Sequence, residues 1–270
     1  MIKVAVFGAA GRMGSEVCRA VASAEDLELV AAVDPARAGA PLSAVAGVET
    51  GALICAADPS ALAAAGAEVA VDFTTAAVAP ANLAWCAANG IHAVSGTTGL
   101  SAGEVERLAV AFGAPGAPNA VLAPNFALSA VLLARFCELA APFLDGAEII
   151  ELHHAGKVDA PSGTALETAR RIAAAREASG AGPFAPDPTR EERVAGSRGA
   201  RGPGDVRIHA VRLPGLVAHQ EVLFGGLGQS LLIRQDSYDR VSFMPGVLLA
   251  LRRVGETPGL TLGLDALLGL

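Results

Sequence analysis

The fold of this chain is decided close to its N-terminus, by the stretch Ile2-Lys-Val-Ala-Val-Phe-Gly8-Ala-Ala-Gly11-Arg-Met-Gly14. The stretch begins with a short apolar run rich in β-branched residues, which predicts a buried strand, and it ends in a glycine turn. A helical pattern follows, and a second apolar run, 27–33, leads to Asp34. Strand, glycine turn, helix, strand and acid together are typical of the first unit of a dinucleotide-binding fold.

The glycines explain how such a turn binds a cofactor. They let the backbone approach a pyrophosphate closely, and the helix that follows points its N-terminus at the negative charge. Asp34 lies 20 residues after Gly14, as expected for a carboxylate that reaches the ribose hydroxyls. The spacing is G-x-x-G-x-x-G rather than the commoner G-x-G-x-x-G, so a turn that only joins a strand to a helix is the alternative.

Composition indicates a soluble intracellular enzyme that binds neither nucleic acid nor membrane. No apolar run in the 270 residues is long enough to span a bilayer. The formal net charge of −7 and an aromatic content of 4% argue against nucleic-acid binding. The four cysteines are scattered without a C-x-x-C spacing, which argues against a zinc site or a disulfide framework. We therefore expect a small-molecule substrate and no metal.

Strand and helix patterns alternate as far as residue 126, which favours a parallel sheet covered by helices on both faces. In such sheets ligands bind beyond the carboxyl ends of the strands. Five loops at those ends carry small or polar residues, and we expect them to bind the cofactor. Their residues are Gly8, Ala9, Ala10, Gly11, Arg12 and Met13; Asp34; Phe73; Gly96, Thr97 and Thr98; and Ala123, Pro124, Asn125 and Phe126.

The pattern changes after residue 126. Three strand-like runs, 206–213, 217–224 and 229–235, follow one another through short connections, which predicts an antiparallel or mixed sheet. The chain is therefore expected to have an α/β fold with two domains. Residues 1–126, completed by 237–270, form a Rossmann-type dinucleotide-binding domain, and residues 127–236 form a second α+β domain that binds the substrate.

The chemistry is concentrated in the run Glu151-Leu-His153-His154-Ala-Gly-Lys157-Val-Asp-Ala-Pro-Ser-Gly163-Thr164. Two imidazoles that exchange protons near neutral pH stand close to an ammonium group. Ser-Gly-Thr then opens a helical pattern, and free N–H groups at a helix start bind anions. The run predicts a small anionic substrate beside an acid–base group, with a purely structural role for the histidines as the alternative. If the strand continues through both histidines, they point to opposite faces and do not share one role.

This run resembles the signature of the 4-hydroxy-tetrahydrodipicolinate reductase family, also called dihydrodipicolinate reductases. The glycine turn and the segments Val71-Asp-Phe-Thr, Gly96-Thr-Thr-Gly and Ala123-Pro-Asn-Phe are similar to the family's cofactor loops in order and spacing. Leu216-Val-Ala-His-Gln-Glu-Val is similar to the actinobacterial-type members. The resemblance implies NAD(P)H-dependent reduction of a dicarboxylate cyclic imine, with loss of water, in diaminopimelate and lysine biosynthesis. It also implies a cytoplasmic homotetramer assembled through the sheets of the second domains.

The resemblance also implies roles for single residues. By position, His153 is the proton donor and acceptor, Lys157 is a second proton donor and substrate anchor, and His154 contacts the substrate. Gly163 and Thr164 offer backbone N–H groups, and the threonine its hydroxyl, to a substrate carboxylate.

Cofactor choice depends on Asp34. A carboxylate at this position hydrogen-bonds the ribose of NADH but repels the 2′-phosphate of NADPH. Some members of the family carry an arginine directly after the acid, where this chain has Pro35. We expect Arg37, two residues further on, or Arg12, in the glycine turn, to compensate in part for the missing arginine. We expect both cofactors to be used, with NADH equal or preferred. We expect Arg37 to be the residue that limits the discrimination between NADH and NADPH.

Two other functions remain open from the residues alone. One is another Rossmann reductase with an added sheet domain, such as a homoserine or aspartate dehydrogenase. The histidine–lysine run argues against it. The other is a regulatory protein that senses a dinucleotide without catalysis. The presence of two proton-transfer groups beside an anion-binding turn argues against this function.

Overall fold

The structure, a computed structural model, describes residues 1–49, 51 and 53–269 and divides the chain into two compact units. The first unit consists of Met1–Phe126 together with Phe243–Leu270, and the second of Ala127–Ser242. The second unit extends past residue 236 because its last strand continues to Ser237. Among the described residues, no helix is long and apolar enough to cross a membrane.

Twelve strands and nine α-helices lie within the described residues. The strands are β1 (Ile2–Phe7), β2 (Leu27–Val33), β3 (Cys55–Ala56), β4 (Val69–Asp72), β5 (His92–Ser95), β6 (Ala120–Leu122), β7 (Gly146–His153), β8 (Ala200–Arg201), β9 (Arg207–Arg212), β10 (Ala218–Gly226), β11 (Gln229–Ser237) and β12 (Leu260–Leu262). The helices are α1 (Arg12–Ala22), α2 (Leu42–Ala46), α3 (Ser60–Ala64), α4 (Ala79–Ala88), α5 (Ala102–Phe112), α6 (Leu128–Ala140), α7 (Gly163–Ser179), α8 (Met244–Arg253) and α9 (Asp265–Leu268).

The sheet of the first unit has the strand order β12-β6-β5-β4-β1-β2-β3, and every described pairing in it is parallel. Residues 4–7 and 69–72 are buried, because helices cover both faces of the sheet. The order reverses between β1 and β4, and ligands of such sheets bind beyond the strand ends at that point. The predicted Rossmann-type architecture is confirmed.

The C-terminal segment completes the first unit. β12 pairs with β6 in parallel, and α8 buries Val247, Ala250 and Leu251. A Cβ atom on Gly246 would lie 2.1 Å from the carbonyl oxygen of Phe126, so only a glycine lets α8 approach the chain this closely. The helical pattern near the C-terminus therefore belongs to the core of the first unit.

The sheet of the second unit is mixed, as expected, with the order β11-β10-β7-β9-β8. Its central strand β7 runs antiparallel to β10 and parallel to β9. The side chains of Ile149, Val222 and Phe224 pack with those of α6 and α7 in one apolar core. Side chains alternate along a strand, so Leu223 and its cross-strand partner Leu232 lie on the face of the sheet away from this core. Leu223 is 41% exposed there and Leu232 is 55% exposed.

Candidate active site

The glycine turn between β1 and α1 forms a closed cradle. Gly8 adopts a left-handed φ of +70°, and the N–H of Gly11 donates to the Gly8 carbonyl over 2.9 Å. A Cβ atom on Gly14 would lie 2.0 Å from the same carbonyl oxygen, so a side chain there would displace the turn. The first turn of α1 carries no acidic residue. The cradle therefore fits the pyrophosphate of a dinucleotide, with N–H groups of the helix start beside it.

Asp34 follows β2 and joins this cradle to the next turn. Its Oδ2 accepts a 3.1 Å bond from the N–H of Ala10, and its Oδ1 accepts one of 3.1 Å from the N–H of Ala36. The side chains of Arg12 and Arg37 are exposed, and in the described part of the chain neither makes an ion pair or hydrogen bond. Both cations near the predicted ribose position are thus free to contact a ligand.

Buried Asp72 connects two further loops of the predicted cofactor rim. Its Oδ1 accepts bonds from the N–H and hydroxyl of Thr74, at 2.9 and 2.8 Å, and from the hydroxyl of Thr97 at 2.9 Å. Its Oδ2 accepts a 2.8 Å bond from the amide of Asn82 on α4. One carboxylate therefore fixes the loops that follow β4 and β5.

Aromatic packing brings in the loop after β6. A Cβ atom on Gly96 would lie 2.0 Å from the ring of Phe73, so this ring rests directly on the glycine backbone. The rings of Phe73 and Phe126 are 5.6 Å apart between centroids. Thr98 and Ala123-Pro-Asn125 lie in the same loops as these contacts. The structure thus brings the loops after β4, β5 and β6 into contact, and Phe73 and Thr74 also lie against Gly8 of the glycine turn.

In the second unit, His153 is the last residue of β7. Its Nδ1 lies 2.6 Å from Oε2 of Glu151, two residues earlier on the same face of the strand. The pKa of His153 is lowered, mainly by burial and further by the positive charges of Lys157 and Arg212. Glu151 acts in the opposite direction but does not outweigh them. The imidazole is therefore mostly neutral at pH 7 in the free protein. His154 is exposed and is not among the residues that contact Glu151.

Lys157 lies in the loop that leads to α7. Its ammonium donates to both carboxylate oxygens of Asp159, at 2.8 and 2.9 Å. Hydrogen bonding to Lys157 is the main reason that the pKa of Asp159 is lowered. The positive charge of Lys157 is therefore paired with a carboxylate that is itself half exposed, and an anionic ligand would compete with this carboxylate for the ammonium.

The start of α7 leaves two N–H groups open. Ser162 caps the helix by accepting a 3.2 Å bond from the N–H of Ala165. Among the described residues, the N–H groups of Gly163 and Thr164 have no hydrogen-bond partner, and Gly163 is exposed. The first turn of this 17-residue helix carries no acidic side chain. The geometry suits a carboxylate ligand.

Three charged residues of these sites were not assigned a role from the sequence: Glu151, Arg212 and Asp72. Glu151 was detectable, because it stands two residues before His153 on a strand and so shares its face. Arg212, which donates to both oxygens of Glu151 at 2.8 Å, is 61 residues away in the chain and carries no local signal. Within the ranges that the structure covers, no group of three or more His, Cys, Asp or Glu side chains is placed to hold a metal ion.

Comparison with known proteins gives matches over the whole chain. Family models for the N-terminus and the C-terminus of dihydrodipicolinate reductase match residues 2–126 and 129–268. A 4-hydroxy-tetrahydrodipicolinate reductase of Corynebacterium aurimucosum is 51% identical over 272 residues, covering 100% of this chain and 99% of the relative. The reductase of Cutibacterium acnes is 50% identical over 270 residues, which is 100% of both chains.

A solved structure agrees with these matches. A dipicolinate-bound dihydrodipicolinate reductase from Paenisporosarcina sp. TG-14 superposes with a TM-score of 0.86 at 37% identity, covering 98% of this chain and 99% of that one. An amine dehydrogenase from Mycobacterium smegmatis, with a TM-score of 0.61 at 15% identity over 96% of this chain and 94% of that one, shares the fold alone.

Proposed function

The chain belongs to the dihydrodipicolinate reductase family, and we propose that it reduces 4-hydroxy-tetrahydrodipicolinate to tetrahydrodipicolinate with NAD(P)H and loss of water. This is an oxidoreductase step of diaminopimelate and lysine biosynthesis. One observation carries the proposal. The segment from Glu151 to Thr164 contains an imidazole that is hydrogen-bonded to a carboxylate, an ammonium group, and two backbone N–H groups without a described partner.

The substrate is a cyclic imine with two carboxylates. The N–H groups of Gly163 and Thr164, with the threonine hydroxyl, bind one carboxylate at the start of α7. The ammonium of Lys157 exchanges part of its contact with Asp159 for the substrate and serves as a second proton donor, and His154 contributes a further contact. The relative solved with dipicolinate, a planar ring with two carboxylates, supports a ligand of this class.

His153 supplies the proton that the reduction requires. Loss of the 4-hydroxyl leaves a conjugated C=C–C=N unit, and negative charge collects on the ring nitrogen as this unit is reduced. Proton donation from Nε2 stabilises that charge, and a positioned donor typically contributes ~10²–10⁴ in rate. The substrate carboxylates raise the pKa of His153, because neighbouring anions favour the charged imidazole. Substrate binding thus itself favours the protonated form.

The cofactor is a reduced nicotinamide dinucleotide, which supplies the hydride when bound. Gly8–Met13 hold its pyrophosphate and Asp34 its ribose hydroxyls. The loops of Phe73, of Gly96–Thr98 and of Ala123–Phe126 complete the site. We propose that both NADH and NADPH are used, with NADH equal or preferred.

The second unit also suggests how the chain assembles. We propose a homotetramer formed through the open face of its mixed sheet, where Leu223 and Leu232 stand exposed. We place the enzyme in the cytoplasm, because all four cysteines of the chain are free and buried, as is usual in a reducing compartment.

A coupled assay with freshly generated substrate tests the activity. We expect the purified protein to oxidise NADH and NADPH only when the cyclic imine is supplied. His153→Gln and Lys157→Ala are each expected to lower kcat by about 100-fold or more, because each removes a proton-transfer group. Cofactor binding should remain unchanged, since the residues that hold the dinucleotide belong to the first unit.

His209→Gln is the matched control, because His209 lies on neighbouring β9 and bonds to Glu148 instead of Glu151. Absence of cofactor oxidation with the cyclic imine would contradict the proposed activity. Near-normal turnover of His153→Gln would contradict the role of His153.

A further inference from the structure

Glu151 is a charged residue in an apolar layer. Its side chain is 0% exposed and shares the face of β7 with Ile149, which packs against α6 and α7. A buried carboxylate needs partners for both oxygens, because an unpaired charge in such a place is very costly. Oε1 accepts bonds from Nη2 of Arg212 at 2.8 Å and from the N–H of Ser162 at 3.1 Å. Oε2 accepts bonds from Nη1 of Arg212 at 2.8 Å and Nδ1 of His153 at 2.6 Å.

These bonds determine which nitrogen of His153 carries the proton. Burial raises the pKa of Glu151, but its bonds to Arg212 and His153 outweigh burial and hold the pKa below its usual value. The carboxylate is therefore ionised and only accepts hydrogen bonds. Nδ1 must then be the protonated nitrogen of the neutral ring. Nε2, which has no partner among residues 1–49, 51 and 53–269, is left for a ligand.

The carboxylate of Glu151 is also connected to the loop that carries Lys157 and to the start of α7. Arg212, held by Glu151 through two parallel bonds, also donates from Nη2 to the carbonyl of Asp159 at 2.7 Å. Asp159 is the residue whose side chain holds Lys157. Ser162, bonded to Glu151 through its N–H, caps the helix that begins with Gly163. Glu151 thus contacts the acid–base residue, the support of the lysine loop and the cap of the anion-binding helix.

We infer that Glu151 is a positioning residue that holds His153 with its proton on Nδ1 and its Nε2 towards the substrate, and that links this histidine to the lysine loop and the start of α7. The inference rests on the proposed proton-transfer role of His153. Glu151 does not itself touch the reacting atoms.

The opposite face of the same strand provides an internal comparison. Glu148 accepts bonds from Nη2 of Arg198 at 2.6 Å and from Nε2 of His209 at 2.7 Å. The residue types are those around Glu151, but 36% of the Glu148 side chain is exposed. This second cluster contains neither Lys157 nor the start of α7. Glu148→Gln therefore removes a similar glutamate–histidine–arginine cluster without touching the proposed active site. Glu148 lies beside Leu223 on the open face of the sheet, so the mass of this variant in solution is compared with that of the wild-type protein to recognise any change of assembly.

The direct test is nitrogen NMR of the histidine rings in the full-length protein without substrate. The measurement is made at mildly alkaline pH, where the neutral ring predominates, and His153→Gln identifies the His153 signals among those of the five histidines. We expect the Nδ1–H tautomer of His153 in the wild-type protein. We expect a mixture, or the Nε2–H tautomer, in Glu151→Gln, because an amide either donates or accepts at Nδ1. A wild-type Nε2–H tautomer would overturn the inference.

Kinetics give the second readout. Glu151→Gln should lower kcat by about 10- to 100-fold, a part of the ~10²–10⁴ that a positioned proton donor contributes. It should also raise KM for the substrate by a smaller factor, because Glu151 supports the lysine loop and the start of α7 as well. The charged groups facing His153 are Glu151 on its own strand, Arg212 on β9 and Lys157 in the loop. Removing the negative member lowers the pKa of His153, so the alkaline limb of kcat/KM should move to lower pH. Glu148→Gln should leave kcat and this limb unchanged.

A Glu151→Gln variant with normal kcat, and with the alkaline limb of its kcat/KM profile at the wild-type pH, would overturn the inference. If Glu151→Gln fails to fold, the wild-type NMR spectrum still decides the tautomer. The two proposals also fail separately. A wild-type protein that does not reduce the cyclic imine contradicts the proposed function, whereas the position of the proton on His153 is read without any turnover.

Discussion

At the level of single residues, Asp34 is the group on which we expect cofactor choice to depend. Its carboxylate accepts a hydrogen bond from the N–H of Ala10 in the glycine turn, and we propose that it also binds the ribose hydroxyls of the cofactor. We predict that NADPH binds no tighter than NADH. Arg37→Ala should weaken NADPH binding by about 3- to 10-fold and leave NADH binding unchanged, because only NADPH carries a 2′-phosphate on the ribose for this exposed cation to contact. The measurement is binding of each cofactor at two salt concentrations, since salt screens an exposed contact.

Arg107→Ala is the matched control for Arg37→Ala, because it removes an arginine from α5, an element outside the glycine turn. NADPH binding much tighter than NADH, with a margin that Arg37→Ala leaves unchanged, would show that another group recognises the 2′-phosphate.

At the level of elements, α4 stabilises the cofactor loops through one side chain. Asn82 donates to Oδ2 of Asp72, whose other oxygen binds Thr74 and Thr97. Asn82→Ala leaves one oxygen of a buried carboxylate without its partner, a change that typically costs about 1–3 kcal/mol. We predict a several-fold rise in the Kd of both cofactors, because the loops after β4 and β5 lose a shared anchor.

Asn89→Ala is the control for this prediction. Asn89 ends the same helix, and its amide donates to the carbonyl of Trp85 at an exposed position. Isothermal titration with each cofactor distinguishes the two variants. Equal cofactor affinities of Asn82→Ala and the wild-type protein would show that the loops hold their geometry without α4.

At the level of the whole molecule, a substitution on the open face of the sheet in the second unit tests the proposed homotetramer. Leu223 is 41% exposed there, so Leu223→Lys should change the stability of a single chain by less than about 0.5 kcal/mol. A lysine buried between sheets is far more costly. Light scattering should therefore find the wild-type protein at about four times the chain mass of 27.0 kDa and Leu223→Lys as smaller species.

Val110→Lys is the control for assembly, because Val110 is an exposed apolar residue of α5 in the first unit, 76% exposed. It should leave the tetramer intact. A wild-type monomer, or a Leu223→Lys variant that remains tetrameric, would contradict assembly through this face.

Local pattern alone determined the larger part of the architecture. The period of apolar residues and the glycine turn predict the alternating strands and helices as far as residue 126 and the change to a mixed sheet after it. These signals are readable because each depends on neighbours in the chain. The two-residue strand β3 and the three-residue strand β12 were not predicted, since so few residues carry no period. The histidine–lysine run and the Ser-Gly-Thr start of α7 were also visible, because their residues stand next to one another in the sequence.

Only the tertiary structure decided how the charges of the site are paired. Glu151 meets Arg212 because β7 and β9 run side by side with His153 opposite Arg212, and strand order and register do not follow from either segment by itself. Asp72 and Thr97 meet for the same reason, across the neighbouring strands β4 and β5. The sequence therefore identified the groups that carry the chemistry, whereas the pairing of distant strands, driven by burial of their apolar faces, determined which charge faces which.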